Sequence, residues 1–296
     1  MSNQPVPVPD LLRQFNFKPV VRPASAKRRL FIGSQGAFGT GKTRFITTMP
    51  GPIAVIDFDR GMEGVAEYDQ QGNPIYRVSI EMPDFDEKTD PDKSGMSAPS
   101  ASKNEIELAK NSVNQFKNIM EKLLKSREIR SLVIDNGGAA YNLFMAARFG
   151  QIARLGEVPS QMWRLMQQEF ENQFNPVYDN EVNCYITHRE KLKFKGLAGE
   201  KTLDGYDRMA NVVQIHLGFF KEQIIIPPPP GSREKAAFDT RMGARVIKCR
   251  QNLKLELDGT EFEVMFLDAE KRESVGLDFE TVALTVFPNT TREDWF

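Results

Sequence analysis

The sequence predicts an α/β protein: a mostly parallel central sheet flanked by helices, built around a phosphate-binding loop, with a C-terminal β-rich extension. Three observations lead there. Short apolar runs with few polar interruptions recur between helical stretches, the pattern of strands covered on both faces in parallel sheets. Within GSQGAFGTGKTRFITT (33–48), Gly36, Gly41, Lys42 and Thr43 stand at the G-x-x-x-x-G-K-[ST] spacing of a phosphate cradle, after an apolar run and before a brief helix. Beyond IIIPPPP (224–230) the texture changes to strand-like segments with turn signals. The chain accordingly divides into an extended N-terminal arm (1–26), a nucleotide-binding core (27–221) with a polar insertion at 82–104, and the extension (222–296).

Each element has its own signal. The arm is rich in Pro and lacks periodicity, but Leu11, Leu12, Phe15 and Phe17 need cover, from its own domain or from a neighbouring subunit. RLFIGS (29–34) is the strand that leads into the loop. The helix that starts near Gly41 is stopped by Pro50-Gly51-Pro52. IAVIDFD (53–59) is a second buried strand. Residues 82–104 are rich in Ser, Pro and Asp and read as a surface insertion. From about Asn104 to Ser126, Ile106, Ala109, Val113, Phe116, Met120 and Leu123 recur at steps of three and four, one apolar helix face. SLVIDN (131–136) is the next strand, followed by helices near 139–153 and 161–175 and by strands NCYITH (183–188) and VVQIHLGFF (212–220). In the extension, ARVIKCR (244–250) is strand-like, and LKLELDGTEFEVMF predicts a hairpin turning at Asp258-Gly259.

Composition excludes several classes. Among 296 residues, 40% hydrophobic and 27% charged, 39 Lys and Arg balance 40 Asp and Glu for a net charge of -1, so any nucleic-acid contact must be a local patch. Two cysteines in apolar runs predict reduced core thiols rather than a disulfide framework, and two histidines are too few for a zinc site. No run of eighteen apolar residues occurs and MSNQPVPVPD lacks a signal-peptide pattern, so a cytoplasmic location is expected.

The loop residues Gly36, Ala37, Phe38, Gly39, Thr40, Gly41, Lys42, Thr43 and Arg44 are the expected nucleotide-binding set. Backbone N–H groups surround the phosphates, Lys42 reaches the β- and γ-phosphates, and Thr43 ligates Mg²⁺. Asp135, closing an apolar strand, is the expected second holder of Mg²⁺. Asp57 and Asp59 end the second strand on one side of the sheet, and one of them can serve as general base; otherwise they are solvated or capping carboxylates. Thr187 and His188 end another strand where a polar group can register the γ-phosphate. After them, Lys191, Lys193 and Lys195 interleave with Leu192 and Phe194. That pattern suits either single-stranded nucleic acid, with charge for phosphates and Phe194 for a base, or a hairpin edge guarded by lysines. Segment 231–254 has seven basic residues against two acidic ones, and 255–296 has eleven acidic against three basic. Within the basic segment, Lys248 and Arg250 either reach a nucleotide bound by an adjacent subunit or are ordinary surface charge.

Taken in order, GAFGTGKT, the short helix, the Pro-Gly-Pro turn, IAVIDFD, SLVIDN, YITHRE and VVQIHLGFF resemble the RecA-like P-loop ATPases of bacteriophages and prophages, a compact AAA-type nucleotide-binding group with members in single-strand annealing and recombination. The likeness covers roughly 27–221. It implies a catalytic carboxylate at Asp59, a γ-phosphate sensor at Thr187 and His188, a DNA-binding loop at 189–208, ATP and Mg²⁺ as cofactors, and a bacterial host cytoplasm. Asp59 departs from the glutamate of such proteins, and Asn136 stands where serine is common. The expected function is Mg-dependent ATP hydrolysis coupled to single-stranded DNA by a self-assembling ATPase in phage recombination or replication, with a single-strand-binding protein or helicase as further partner. The alternative is an ATP-binding adaptor or switch with little turnover that docks on a replication protein such as a helicase. A small-molecule kinase is disfavoured, because no arginine-rich lid segment lies between the loop and Asp135.

Overall fold

The structure is a computed structural model, and it describes residues 28–62, 67–83, 103–126, 128–150, 158–192, 201–226, 237–266 and 277–296. The N-terminal arm, most of the 82–104 insertion, and Lys193, Phe194 and Lys195 lie outside the described residues.

Strand β1 (Phe31–Gly36) sits at the centre of the sheet. Its neighbours are β5 (Asn183–Leu192) on one side and β7 (Ile215–Ile226) on the other, both parallel to it. Beyond β5 come β4 (Ser131–Asp135), β2 (Ile53–Asp57) and β3 (Tyr76–Ser79), also parallel. Every residue of β2 and of β4 is buried, which is why both read as unbroken apolar runs. On the other side, β8 (Ala237–Cys249) and β9 (Glu261–Phe266) continue the same sheet antiparallel, and the short β6 (Lys201–Leu203) forms a hairpin with β5.

The two faces of the sheet carry separate cores. Against one lie α2 (Lys103–Lys125), α3 (Gly137–Phe149) and α4 (Ser160–Asn172), with Phe58, Phe116, Phe144, Phe170 and Phe174 in the interior. Helix α2 buries Ala109, Val113, Phe116 and Met120 of the apolar face its spacing predicts; Ile106 is only partly buried, and at the far end Leu124 takes the buried place expected of Leu123. Against the other face pack α1 (Lys42–Ile46) and α7 (Phe279–Val286), with Phe45, Tyr185, Phe279 and the fully buried Trp295. The C-terminal segment thus shares a core with the phosphate-loop strand.

Element boundaries follow local chemistry. Helices expected near 139–153 and 161–175 are found at Gly137–Phe149 and Ser160–Asn172. The Asn136 side chain accepts the Ala139 N–H at 2.7 Å and starts α3, and Gly150 ends it in the left-handed region at φ 70°. The strand expected at 212–220 begins later: Met209–Val212 is a helical turn, α5, and β7 runs on to Ile226. The hairpin expected at Asp258-Gly259 is not formed. Leu253–Leu257 is a helical turn, α6, and only Glu261–Phe266 is strand. Alternating Leu in LKLEL also fits a single helical turn, with Leu253 and Leu257 on one exposed face, and Gly259 at φ 59° follows that turn rather than linking two strands.

Candidate nucleotide-binding site

Parallel register brings the candidate residues to one edge of the sheet. Gly36 pairs with Arg189, Gln35 with His188, and Asp57 with Asp135, so the ends of β1, β2, β4 and β5 meet below the loop. Open α/β sheets bind ligands at this carboxyl edge. A cavity of about 390 Å³ opens there, bounded by residues 38–44 of the loop on one side and by Asp59, Asp135, Asn136, Thr187, His188 and Arg189 on the other.

The loop needs its glycines. Gly41, the residue before α1, has φ 94°, where side chains are strained. At Gly36 a Cβ would lie 2.8 Å from the Phe219 carbonyl oxygen and 2.9 Å from Thr40 Oγ1, so a side chain would push the loop away from β7. Thr40 Oγ1 donates to the Ala37 carbonyl at 2.9 Å and braces the turn. Lys42 Nζ is folded back on the loop, donating to the carbonyls of Gly36 at 2.6 Å and Ala37 at 2.8 Å. Burial lowers its pKa, opposed by the nearby Asp135 carboxylate. Thr43 and Arg44 line the cavity, and Phe38 stands fully exposed at its rim.

Across from the lysine, Asp135 is 8% exposed and accepts a hydrogen bond from the Thr187 hydroxyl. Burial pushes its carboxyl up to about 6 despite that bond, and the charges of Asp59 and Asp57 push the same way. The two carboxylates of the second strand separate in role. Asp57, the last residue of β2, is fully buried and does not line the cavity; it faces the backbone of Asp59 and Met62, and Arg77 lies 3.6 Å away as its ion-pair partner. Burial raises its pKa as well. Asp59 lies past the strand and faces the cavity, which makes it the carboxylate available to a reaction. Asn136 Nδ2 donates to it at 2.5 Å, Arg189 Nη2 at 2.8 Å, and the Gly61 N–H at 3.1 Å.

His188 is fully buried, with Nδ1 3.3 Å from the Ser34 carbonyl. Burial lowers its pKa to about 4, so at neutral pH it is an uncharged hydrogen-bonding group. His216 is also buried, lies 3.2 Å from Gln35 Oε1, and is lowered to about 3 by burial and then by His188. Both cysteines, Cys184 and Cys249, are free and buried.

A hydroxyl and carboxylates are hard oxygen donors of the kind Mg²⁺ takes, and Thr43, Asp59 and Asp135 bring such donors to one cavity. Among the described residues no group of three or more His, Cys, Asp or Glu is arranged to hold a metal by itself, so such an ion would complete its shell with phosphate oxygens and water.

Other expected residues stand apart. Lys191 forms an ion pair with Asp204 at 3.2 Å at the base of the β5–β6 hairpin. Because β8 runs antiparallel to β7, it carries Lys248 and Arg250 to the end of the sheet remote from the loop. There Lys248 donates to Asn211 Oδ1, and the Arg250 N–H donates to the Gln214 carbonyl at 2.9 Å. Within one chain these two basic residues do not join the site; the cavity end of β8 contributes Met242 instead. Two residues the motifs did not single out as site residues do join it. Asn136 directly follows Asp135, and Arg189 is the first basic residue after YITH. Those positions are their only sequence signal.

The model of one protein family, described as an AAA domain, matches residues 28–214. Among solved structures, the chain is similar to a RadB recombinase, at 8% identity and a TM-score of 0.40, covering 81% of this chain and 89% of that one. It is also similar to an ATPase from the type III secretion system of pathogenic bacteria, at 13% identity and a TM-score of 0.36, covering 64% of this chain and 50% of that one. No curated protein sequence matches. Among the described residues no helix is long and apolar enough to cross a membrane.

Proposed function

The chain belongs to the AAA-domain family, and from that premise we propose that it hydrolyses ATP with Mg²⁺ and couples the cycle to single-stranded DNA. The observation that carries the reading is the pairing of two separate carboxylates with one phosphate loop. Asp135, bonded to Thr187, lies opposite Lys42 and Thr43, and Asp59 stands apart from it at the cavity wall.

The residues divide the work. Lys42 exchanges the carbonyls of Gly36 and Ala37 for the β- and γ-phosphates. Thr43 and Asp135 would hold Mg²⁺, which when bound neutralises charge on the β- and γ-oxygens. Asp59 orients a water and accepts its proton as the water oxygen bonds to the γ-phosphorus; the bond to the bridging oxygen breaks, and its electron pair leaves on ADP. His188, uncharged, braces the Ser34 carbonyl under the loop and does not act as an acid.

The DNA half rests on position. Strand β5 carries Thr187 and His188 at the nucleotide site and runs on through Arg189 and Lys191 to Leu192, where it pairs with β6; the basic Lys193, Phe194, Lys195 stretch follows in sequence. One observation favours the adaptor reading: Asp59 is already committed to Asn136 and Arg189, as in a site that turns over slowly. Phosphate release with and without added single-stranded DNA separates the two. Stimulation lost on Lys42→Ala supports the DNA-coupled ATPase. Nucleotide binding with no turnover in either condition supports the adaptor, docked on a replication protein such as a helicase.

A further inference from the structure

Arg189 occupies a place that the motif residues do not explain. Its backbone pairs with Gly36, the first glycine of the loop, so the side chain starts beside the phosphate cradle. From β5 it reaches past β4 to Asp59 beyond the end of β2, and both residues line the cavity together with Asp135. Its side chain is 64% exposed, so the guanidinium is held by the Asp59 carboxylate at 2.8 Å rather than by packing. A surface pair of this kind is weak and easily exchanged. The carboxylate also carries one negative charge, against the two of a γ-phosphate, and guanidinium recognises phosphate oxygens in a forked, bidentate geometry.

We propose that Arg189 is a γ-phosphate sensor acting in cis: with a triphosphate in the cavity its guanidinium leaves Asp59 for the γ-phosphate, and Asp59, then held by Asn136 and the Gly61 N–H, is free to take the proton of the attacking water. ADP offers no γ-phosphate, so Arg189 stays on Asp59. The exchange has a direct outlet. The Arg189 carbonyl accepts the Asp204 N–H at 2.7 Å, and Asp204 pairs with Lys191, so the residue that changes partner is hydrogen-bonded to the β5–β6 hairpin. No covalent step is added. The inference rests on the ATPase reading and assigns the triphosphate-sensing step within it.

The test is binding of a non-hydrolysable ATP analogue and of ADP, each with Mg²⁺, to the full chain by calorimetry. Arg189→Ala should weaken the analogue by about tenfold or more while ADP stays within about twofold, since a hydrogen bond to a charged group is lost on only one ligand. Arg189→Lys, which keeps the charge but not the fork, should fall between. Asp59→Asn, by removing the competing partner, should tighten the analogue in the wild-type background and do nothing in the Arg189→Ala background. Equal losses for both ligands, no loss for either, or a gain from Asp59→Asn that persists without Arg189 would each overturn the proposal. If Arg189→Ala melts early, Arg189→Lys decides by the same ratio. Wild-type protein that binds neither nucleotide would overturn the ATPase reading itself, an outcome distinct from wild type that binds both while the variants keep its ratio.

Discussion

Asp135 should be a liability to the empty protein, and replacing it with Asn should stabilise the fold while removing Mg²⁺-dependent nucleotide binding. Its carboxyl is raised from 3.8 to about 6, chiefly by burial. A carboxyl raised in the folded state contributes its stability below the unfolded pKa and loses it as pH rises through the folded one. Above pH 6, therefore, the folded protein holds a charge that the unfolded chain carries more easily. Holding the carboxylate ionised in that setting costs the fold about 3 kcal/mol at most. For a domain of this size that is about 6 °C in Tm at roughly 2 °C per kcal/mol. Asn keeps an oxygen to accept the Thr187 hydroxyl but cannot ionise. Thermal melts of both proteins at pH 8 should show Asp135→Asn melting higher, with the gap closing as pH falls from 6 toward 4. His188 and His216, neutral in the fold, lose stability over part of the same range, but equally in both proteins, so they cancel in the difference. With Mg²⁺ and nucleotide the order should reverse, because only wild type gains from the ligand. An Asp135→Asn protein that melts lower than wild type at pH 8, or a gap that does not depend on pH, would refute the charge argument.

Further outcomes follow from the same geometry. Lys42→Ala should reduce ATP turnover by about a hundredfold or more, measured as phosphate release, because its ammonium is the charge that the loop carbonyls hold at the head of the cavity. Gly36→Ala should destabilise by about 1–3 kcal/mol in urea unfolding, since its Cβ would meet the Phe219 carbonyl at 2.8 Å, and should weaken nucleotide binding along with stability. Phe116→Ala should cost about 3–5 kcal/mol by the same measurement, with nucleotide affinity unchanged in the folded fraction. Phe116 is fully buried between Phe58 and Phe144, on the face of the sheet away from the loop.

The strands were legible in the sequence where burial on both faces left unbroken apolar runs. Ile53–Asp57 and Ser131–Asp135 fall within the predicted segments, because a parallel strand in mid-sheet has no polar face to blur the pattern. Helix ends were less legible: α3 starts where the Asn136 side chain caps it, and that depends on a bond visible only in three dimensions. LKLEL was misread because five alternating residues fit a strand and a helical turn equally, and pairing with β8 went to the segment after it. Within the site, the loop and Asp135 carry motif spacing, whereas Asn136, Arg189 and the division between Asp57 and Asp59 do not. Their partners come from other strands, and register alone sets which meet. The placement of Lys248 and Arg250 likewise turned on the direction of β8, which charge counting cannot supply.

The site as it stands has a counterpart for each charge a nucleotide would use. Lys42 is hydrogen-bonded to two loop carbonyls and feels the nearby Asp135, and Arg189 is paired with Asp59. Asp135 is raised toward neutrality by burial and by two neighbouring carboxylates. A diphosphate with its ion would replace the partners of Lys42 and Asp135 but would leave Arg189 on Asp59. A triphosphate can replace all three. On this reading, the difference between the two ligands falls on the one carboxylate placed to activate water and on the strand that leads to the basic hairpin. Hydrolysis and any DNA contact would then respond to the same partner exchange. A variant that locks Arg189 to Asp59 should lose turnover and DNA stimulation together, and loss of one with retention of the other would separate the hairpin from the site.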